Sequence, residues 1–309
     1  MAHNAMATQW EILLYGTEES YLRAVGEEAF REIDRIETLL SLFRSDSETR
    51  RVNVYAGQEA VPVDPRFFAL LQQAIRRSEE SEGAFDITVG PLMELWGFYT
   101  RGGEKPEEAA LSEALARVGW EHILLNPKDF TVQFDREGVV LDFGAIGKGY
   151  AVECVVTLLR DFEISSALLH GGTSTIYALG VPPEAENWTI AIQRPFNPGD
   201  SYLARVALKD RALSVSAPHG KWFASEGRRF GHVIDPRTGI PSGRSLLAAL
   251  VLPSATESDA LSTALLTNGI EWLPRLQALR PDSEALIATA GVEGEIEVAT
   301  YGEGWMLEQ

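Results

Sequence analysis

Between Glu18 and Phe43 the apolar residues Leu22, Val25, Ala29, Ile33, Ile36 and Leu40 recur at steps of three and four. That spacing predicts one buried face on a helix of about seven turns. Ahead of it, Thr8 to Tyr15 reads as a strand, and after it the polar stretch Arg44 to Val54 reads as a loop or short helix. Pro65 opens a helix predicted to run to Ser81, because proline is tolerated in a first turn. The run GAFDITVGPLMELWGF, Gly83 to Phe98, holds too much glycine and proline for one regular element, with Trp96 and Phe98 expected in the core. Pro106 to Val118 is again amphipathic. From Ile123 the pattern shortens to strand length: HILLN, FTVQFD and GVVLDFG. A helix is predicted from Ile146 to Phe162, then strands through SSALLHGG, TSTIYALG, WTIAIQ, YLARVAL and ALSVSA. The remainder predicts a strand at SLLAALVL, a helix from Ser258 to Thr267, a short helix after Ile270, and strands at EALIAT, EIEVAT and WMLE. Strands and helices mix without strict alternation. The expected fold is α+β, with mixed, largely antiparallel sheets and packed helices.

Charge narrows the function. There are 45 acidic against 27 basic residues, a formal net charge of −18, and no run of Lys or Arg. A nucleic-acid partner is therefore not expected. A phosphate-bearing ligand would meet a repelling field, which a divalent cation, a few lysines or helix N-termini would have to offset locally. The single cysteine, Cys154, lies in an apolar helical run and is expected to be a buried structural thiol. No window has the apolar length of a membrane span. The first residues lack a basic, apolar and small-residue export pattern. Cytoplasmic is thus the default placement, with periplasmic or membrane-anchored applying if an export signal has been removed.

Three stretches hold the chemistry that stands out. LDFGAIGKGY, Leu141 to Tyr150, puts three glycines at a strand-to-helix junction, with Lys148 in the first turn. It reads either as an anion site at a helix start or as a tight turn with an exposed lysine. A Walker loop is excluded, because Asp142 and Gly149 stand where it needs Gly and Ser or Thr. The dinucleotide fingerprint fails at Val152. In PSATESDALST, Asp259 and Thr263 are four apart and share a helix face, with Ser258 or a neighbour as the cap. They make a hard-oxygen pair for magnesium, or else a dipole-complementing Asp and a Thr bonded to a carbonyl. In GHVIDPRTGIP, His232 precedes an Asp-Pro-Arg-Thr-Gly turn, on a short strand, as a general base or as a structural histidine. His3, His122, His170 and His219 have less around them. Ala84 to Asp86 could set backbone groups and a carboxylate against a heterocycle, and Ser41 to Phe43 end the long helix before polar Ser45, Asp46, Ser47 and Asn53.

Taken in order, LFRSDSETRRVN, GAFDITVGPLMELWGF, DFGAIGKGYAVE, LLHGG, GHVIDPRTG and SDALSTAL resemble the ApbE family of FAD:protein FMN transferases, over Tyr15 to Leu266. The resemblance implies magnesium-dependent cleavage of FAD and transfer of FMN to a Thr or Ser hydroxyl of a target flavoprotein, releasing AMP. It implies that the carbonyl of Ala145 and the side chains of Asp259 and Thr263 hold the cation, with Asp259 also essential to catalysis. Lys148 matches the lysine near the diphosphate, and His232 the histidine that contacts the cofactor and takes the incoming proton. Ser41, Leu42, Phe43, Ala84, Phe85, Asp86 and Asp142 match regions enclosing FAD. A single domain over 1–309 is expected, or two lobes with the FAD site between them. The departures are Tyr15 for a usual Met, Ser214 to Gly220 for a Thr/Ser-Ser-Gly segment, and Glu153 for a common Asp. Two other readings remain: a magnesium-dependent FAD pyrophosphatase, and a non-catalytic FAD-binding protein.

Overall fold

The structure is a computed structural model that describes residues 1–100, 102–196, 201–218, 220–225, 227–291 and 295–308. In chain order the elements are β1 (Ala2–Ala5), β2 (Thr8–Tyr15), α1 (Glu19–Leu40), α2 (Glu48–Tyr55), β3 (Val61–Pro62) and α3 (Pro65–Glu80). Next come α4 (Gly90–Leu95), α5 (Glu108–Leu115), β4 (Ile123–Asn126), β5 (Thr131–Phe134), α6 (Gly147–Asp161), β6 (Ser166–Gly171) and β7 (Thr175–Leu179). They are followed by β8 (Trp188–Gln193), β9 (Tyr202–Leu208), β10 (Arg211–Ser216), β11 (Trp222–Ser225), β12 (Arg228–Gly231), β13 (Ile234–Asp235) and β14 (Ile240–Pro241). The last are β15 (Leu247–Leu252), α7 (Ala255–Asn268), α8 (Leu273–Leu279), β16 (Glu284–Ala290), β17 (Ile296–Tyr301) and β18 (Trp305–Leu307). The α+β expectation holds. No helix among the described residues is long and apolar enough to cross a membrane.

The chain divides into two compact units. The first is Met1–Ile36, Ile146–Ser216 and Ser245–Gln309. Its eight-stranded sheet has the order β1-β2-β6-β7-β10-β15-β16-β17, and a three-stranded sheet has the order β18-β9-β8. Every pairing in both sheets is antiparallel. The alternating residues Trp188, Ile190 and Ile192 of β8 bury against Leu213, Val251 and Leu286 of the larger sheet. β15 is buried along its whole length. α7 shows almost no amphipathic periodicity because it too is buried on nearly every side.

The second unit is Glu37–Ala145 and Ala217–Arg244. It holds α2 to α5, the sheet β3-β5-β4, and the hairpins β11-β12 and β13-β14. Trp96, Leu92, Ala114 and Ile234 form a buried cluster against Phe98, Phe223 and Phe230, and the Trp96 indole donates to the Gly239 carbonyl at 2.8 Å.

Four expectations are corrected here. GVVLDFG is not a strand: only Val140 bridges, to Val89, while the Asn53 amide clamps Leu141 by both backbone groups at 2.8 and 3.0 Å. A side chain from α2 therefore replaces a neighbouring strand. α7 starts one turn early, because Ser254 caps it by accepting from the Glu257 N–H. His232 lies in the bend between β12 and β13, not on a strand. Cys154 is half-buried, not buried.

Candidate active site

In the first unit, α6 and α7 meet at their opening turns and cap each other. Gly149 is the third residue of α6, so its N–H has no acceptor within the helix; it donates to Asp259 Oδ2 at 2.9 Å. In return Glu153 Oε2 accepts from Ser254 Oγ at 2.6 Å and from the Thr256 N–H at 2.9 Å, at the start of α7. The approach demands glycine at 149: a Cβ there would overlap the Ala255 carbonyl oxygen and lie 2.6 Å from Asp259 Cβ.

Asp259 is 4% exposed. The earlier start of α7 moves it into the second turn, so it is no longer positioned to complement the helix dipole, whose field is strongest in the first turn. Its Oδ1 accepts from Thr175 Oγ1 at 3.2 Å. Among the described residues both side-chain partners of Asp259 are neutral donors. A carboxylate has about four lone-pair directions, so two remain. A buried anion of this kind is costly without a countercharge.

Thr263, one turn along, sits with Oγ1 3.0 Å from Ser216 Oγ and 3.5 Å from the Asp259 carbonyl oxygen. Ser216 Oγ is also 2.8 Å from Ser262 Oγ, and Ser214 Oγ lies 3.5 Å from Thr175 Oγ1. Thr175 thus touches the carboxylate and leads on to Ser214, while Ser216, Ser262 and Thr263 form a second string of hydroxyls at the Asp259 carbonyl oxygen; oxygen atoms are the ligands that a hard divalent cation takes. The described residues contain no cluster of three or more His, Cys, Asp or Glu side chains suited to a metal. Lys148, half-buried, is the second residue of α6. Ala145 closes the second unit, and its carbonyl carbon is bonded to the nitrogen of Ile146, the residue before α6.

In the second unit, three separated stretches converge on Tyr99. Its hydroxyl donates to Asp142 Oδ2 at 2.6 Å, and its ring takes the Phe43 ring edge-on at 5.6 Å. Burial and the Asp142 carboxylate push the Tyr99 hydroxyl pKa up, so it stays a donor. Asp142 Oδ1 accepts from the Gly144 N–H at 2.7 Å, which fixes the turn leading to Ala145. Phe43 is 72% exposed, and Ser41 Oγ holds its loop by accepting from the N–H groups of Phe43 and Arg44 at 3.2 and 3.3 Å. Leu42 is half-buried.

Ala84 and Phe85 have buried side chains, which leaves only their backbone for a ligand. Asp86 also points inward. Its Oδ1 accepts from the Thr88 N–H and hydroxyl at 2.8 and 2.7 Å, and its Oδ2 from the Trp120 N–H at 2.9 Å. Burial nevertheless raises its pKa to about 6. His232 is fastened to Lys221, donating its N–H to the Lys221 carbonyl at 3.0 Å and accepting the Lys221 N–H at Nδ1 at 3.4 Å. Of the other histidines, His3 and His122 do have partners, Asp34 and Asp135 at 2.7 and 3.1 Å; His219 lies outside the described residues.

Sequence reasoning missed Tyr99, Thr175, Ser216 and Ser262. Tyr99 directly follows the GAFDITVGPLMELWGF run, which was the one available hint. Ser262 lies in the SDALST stretch and Ser216 in the Ser214 to Gly220 segment without having been given a role, and Thr175 sits in an ordinary strand pattern that carries no signal.

A family profile described as the ApbE family matches residues 6–287. The chain belongs to the ApbE family. It is 30% identical over 275 residues to an FAD:protein FMN transferase of Klebsiella pneumoniae (strain 342), covering 86% of this chain and 77% of that protein. It is 31% identical over 299 residues to one of Treponema pallidum (strain Nichols), covering 90% and 82%. Among solved structures, the ApbE protein of Thermotoga maritima MSB8 superposes with a TM-score of 0.87 at 28% identity, covering 96% of this chain and 95% of the other. The ApbE flavin transferase of Vibrio cholerae superposes with a TM-score of 0.84 at 26% identity, covering 97% and 96%. The ApbE relationship thus extends over the fold as well as the sequence.

Proposed function

We propose that this chain transfers the FMN half of FAD to a Thr or Ser hydroxyl of a target flavoprotein and releases AMP. The observation that carries the reading is the buried Asp259 carboxylate, held by two neutral donors, the Gly149 N–H and the Thr175 hydroxyl, in a chain whose relatives bear the name FAD:protein FMN transferase. Asp259, Thr263 and the Ala145 carbonyl are the proposed ligands of Mg²⁺. When bound, that ion supplies charge neutralisation at the pyrophosphate.

The residues of the chain then divide the work. Lys148, in the opening turn of α6, holds phosphate oxygens by charge and hydrogen bonding. Phe43 and the Tyr99–Asp142 pair offer a ring face and a fixed carboxylate for the aromatic parts of FAD, beside the backbone of Ser41, Leu42, Ala84, Phe85 and Asp86. His232 takes the proton of the acceptor hydroxyl. With the Lys221 N–H against Nδ1, the neutral ring carries its proton on Nε2, and Nδ1 receives the incoming proton as that long bond is given up. The acceptor oxygen bonds to the FMN phosphorus, the bond from that phosphorus to the bridging oxygen breaks, and AMP leaves with the electron pair.

Intact-mass spectrometry tests this with FAD, Mg²⁺ and an acceptor domain that the Vibrio cholerae transferase modifies. One covalent FMN per acceptor, abolished by EDTA, is the expected result. AMP release with no adduct would instead assign the chain as an FAD pyrophosphatase, and FAD binding with neither product as a non-catalytic binder.

A further inference from the structure

The β11-β12 hairpin has two unlike faces. Phe223 and Phe230 stack across it with ring centroids 5.6 Å apart, and both lie against Trp96, so one face closes the core of its unit. The opposite face carries Trp222, 50% exposed, with the Arg229 guanidinium 4.5 Å from its ring centroid. That cation–π contact favours the stacked arrangement of the two side chains. Tryptophan and arginine are the side chains that most often anchor protein interfaces, because each presents a large rigid surface with a polar handle.

Position and charge give this face a purpose. Trp222 lies opposite Gly231 in the strand register, and the flanking residues Lys221 and His232 are joined through the backbone and Nδ1. The indole is therefore held one residue from His232 along each strand. Residues 221–231 include Lys221, Arg228 and Arg229 against Glu226 alone, in a chain with a net charge of −18. The hairpin is thus a basic stretch of sequence in an acidic chain, and Arg229 is the cation that the structure sets on the Trp222 face.

The geometry points to this hairpin face as the docking surface for the acceptor polypeptide. An extended acidic segment of the target protein lays its backbone on Trp222, sets a carboxylate against Arg229 and brings its Thr or Ser hydroxyl to His232. The inference rests on the transfer reaction proposed above.

Steady-state transfer to the same acceptor domain tests it, using two versions with Asp or Lys beside the acceptor Thr. The unmodified chain is expected to favour the Asp version. Trp222→Ala should raise the acceptor KM about tenfold while kcat and the FAD dissociation constant stay within about twofold, and Trp222→Phe should restore most of the loss. Arg229→Glu should reverse the preference for Asp over Lys. An unchanged acceptor KM in Trp222→Ala, an equal weakening of FAD binding, or a preference untouched by Arg229→Glu would overturn the docking surface. AMP release without adduct from the unmodified chain would overturn the transfer reading itself, and with it any acceptor surface.

Discussion

Replacing Gly149 by Ala adds one methyl group where α6 and α7 cap each other. The new Cβ would lie 2.6 Å from Asp259 Cβ and overlap the Ala255 carbonyl oxygen, so the two helices must part by about 1 Å to restore ordinary contact. Both obstacles belong to the framework of α7, not to the end of a flexible side chain. Such overpacking costs about 1–3 kcal/mol. Lengthening the 2.9 Å bond from the Gly149 N–H to the Asp259 carboxylate costs about 1.5–3 kcal/mol more. Alanine's better helix propensity returns about 1 kcal/mol. A net loss of about 1.5–5 kcal/mol should lower the Tm by roughly 2–8 °C, at an unfolding entropy of about 2.1 cal/mol/K per residue. Because Asp259 moves with α7, FMN transfer should fall about 100-fold. Differential scanning calorimetry and transfer assays read the two effects. Gly102→Ala is the control, since nothing lies within 4 Å of its added Cβ. A Gly149→Ala chain that melts and transfers like the unmodified protein would refute the mutual-capping argument.

Asp259→Asn keeps the shape and an acceptor oxygen but loses the charge, so transfer should fall at least about 100-fold with little change in Tm; a nearly full rate would remove Asp259 from the cation site. Tyr99→Phe deletes the 2.6 Å bond to Asp142 while keeping the ring edge against Phe43. It should cost about 1 kcal/mol of stability and weaken FAD binding, measured by flavin fluorescence quenching; unaltered FAD affinity would show that this pair does not serve the ligand. Asp86 has its pKa raised from 3.8 to about 6. The folded state therefore holds the proton more tightly, and the group's contribution to stability is greatest below the unfolded value and is lost as pH rises through about 6. Relative to Asp86→Asn, denaturant stability should decline by about 2 kcal/mol between pH 4 and pH 7; a rise over that window would contradict the sign.

Much of the fold was legible because its burial is periodic. α1, α3, α6 and the central strands bury residues at helical or two-residue spacing, and their ends fall within a few residues of expectation. The β1-β2 hairpin was not, since its turn places Met6 and Ala7 at φ 50° and 59° without the glycine or asparagine that announces such a turn. Asn53 organises Leu141 from 88 positions away, so no local pattern announces it. The glycines of the DFGAIGKGYAVE stretch were visible as places where a ligand or another backbone comes close, and at Gly149 it is the backbone of Ala255, with Asp259, that does so. The hydroxyls of Thr175, Ser214, Ser216 and Ser262 come together from three elements, β7, β10 and α7, so only the SDALST end of that arrangement could be seen in one local stretch.

The proposed cation site is tested most directly by anomalous diffraction from crystals grown with FAD and Mn²⁺ in place of Mg²⁺. A single manganese peak about 2.1 Å from an Asp259 carboxylate oxygen and the Thr263 hydroxyl is expected, with the Ala145 carbonyl completing the protein ligands. A peak elsewhere, or FAD bound with no metal at those oxygens, would contradict the proposed chemistry.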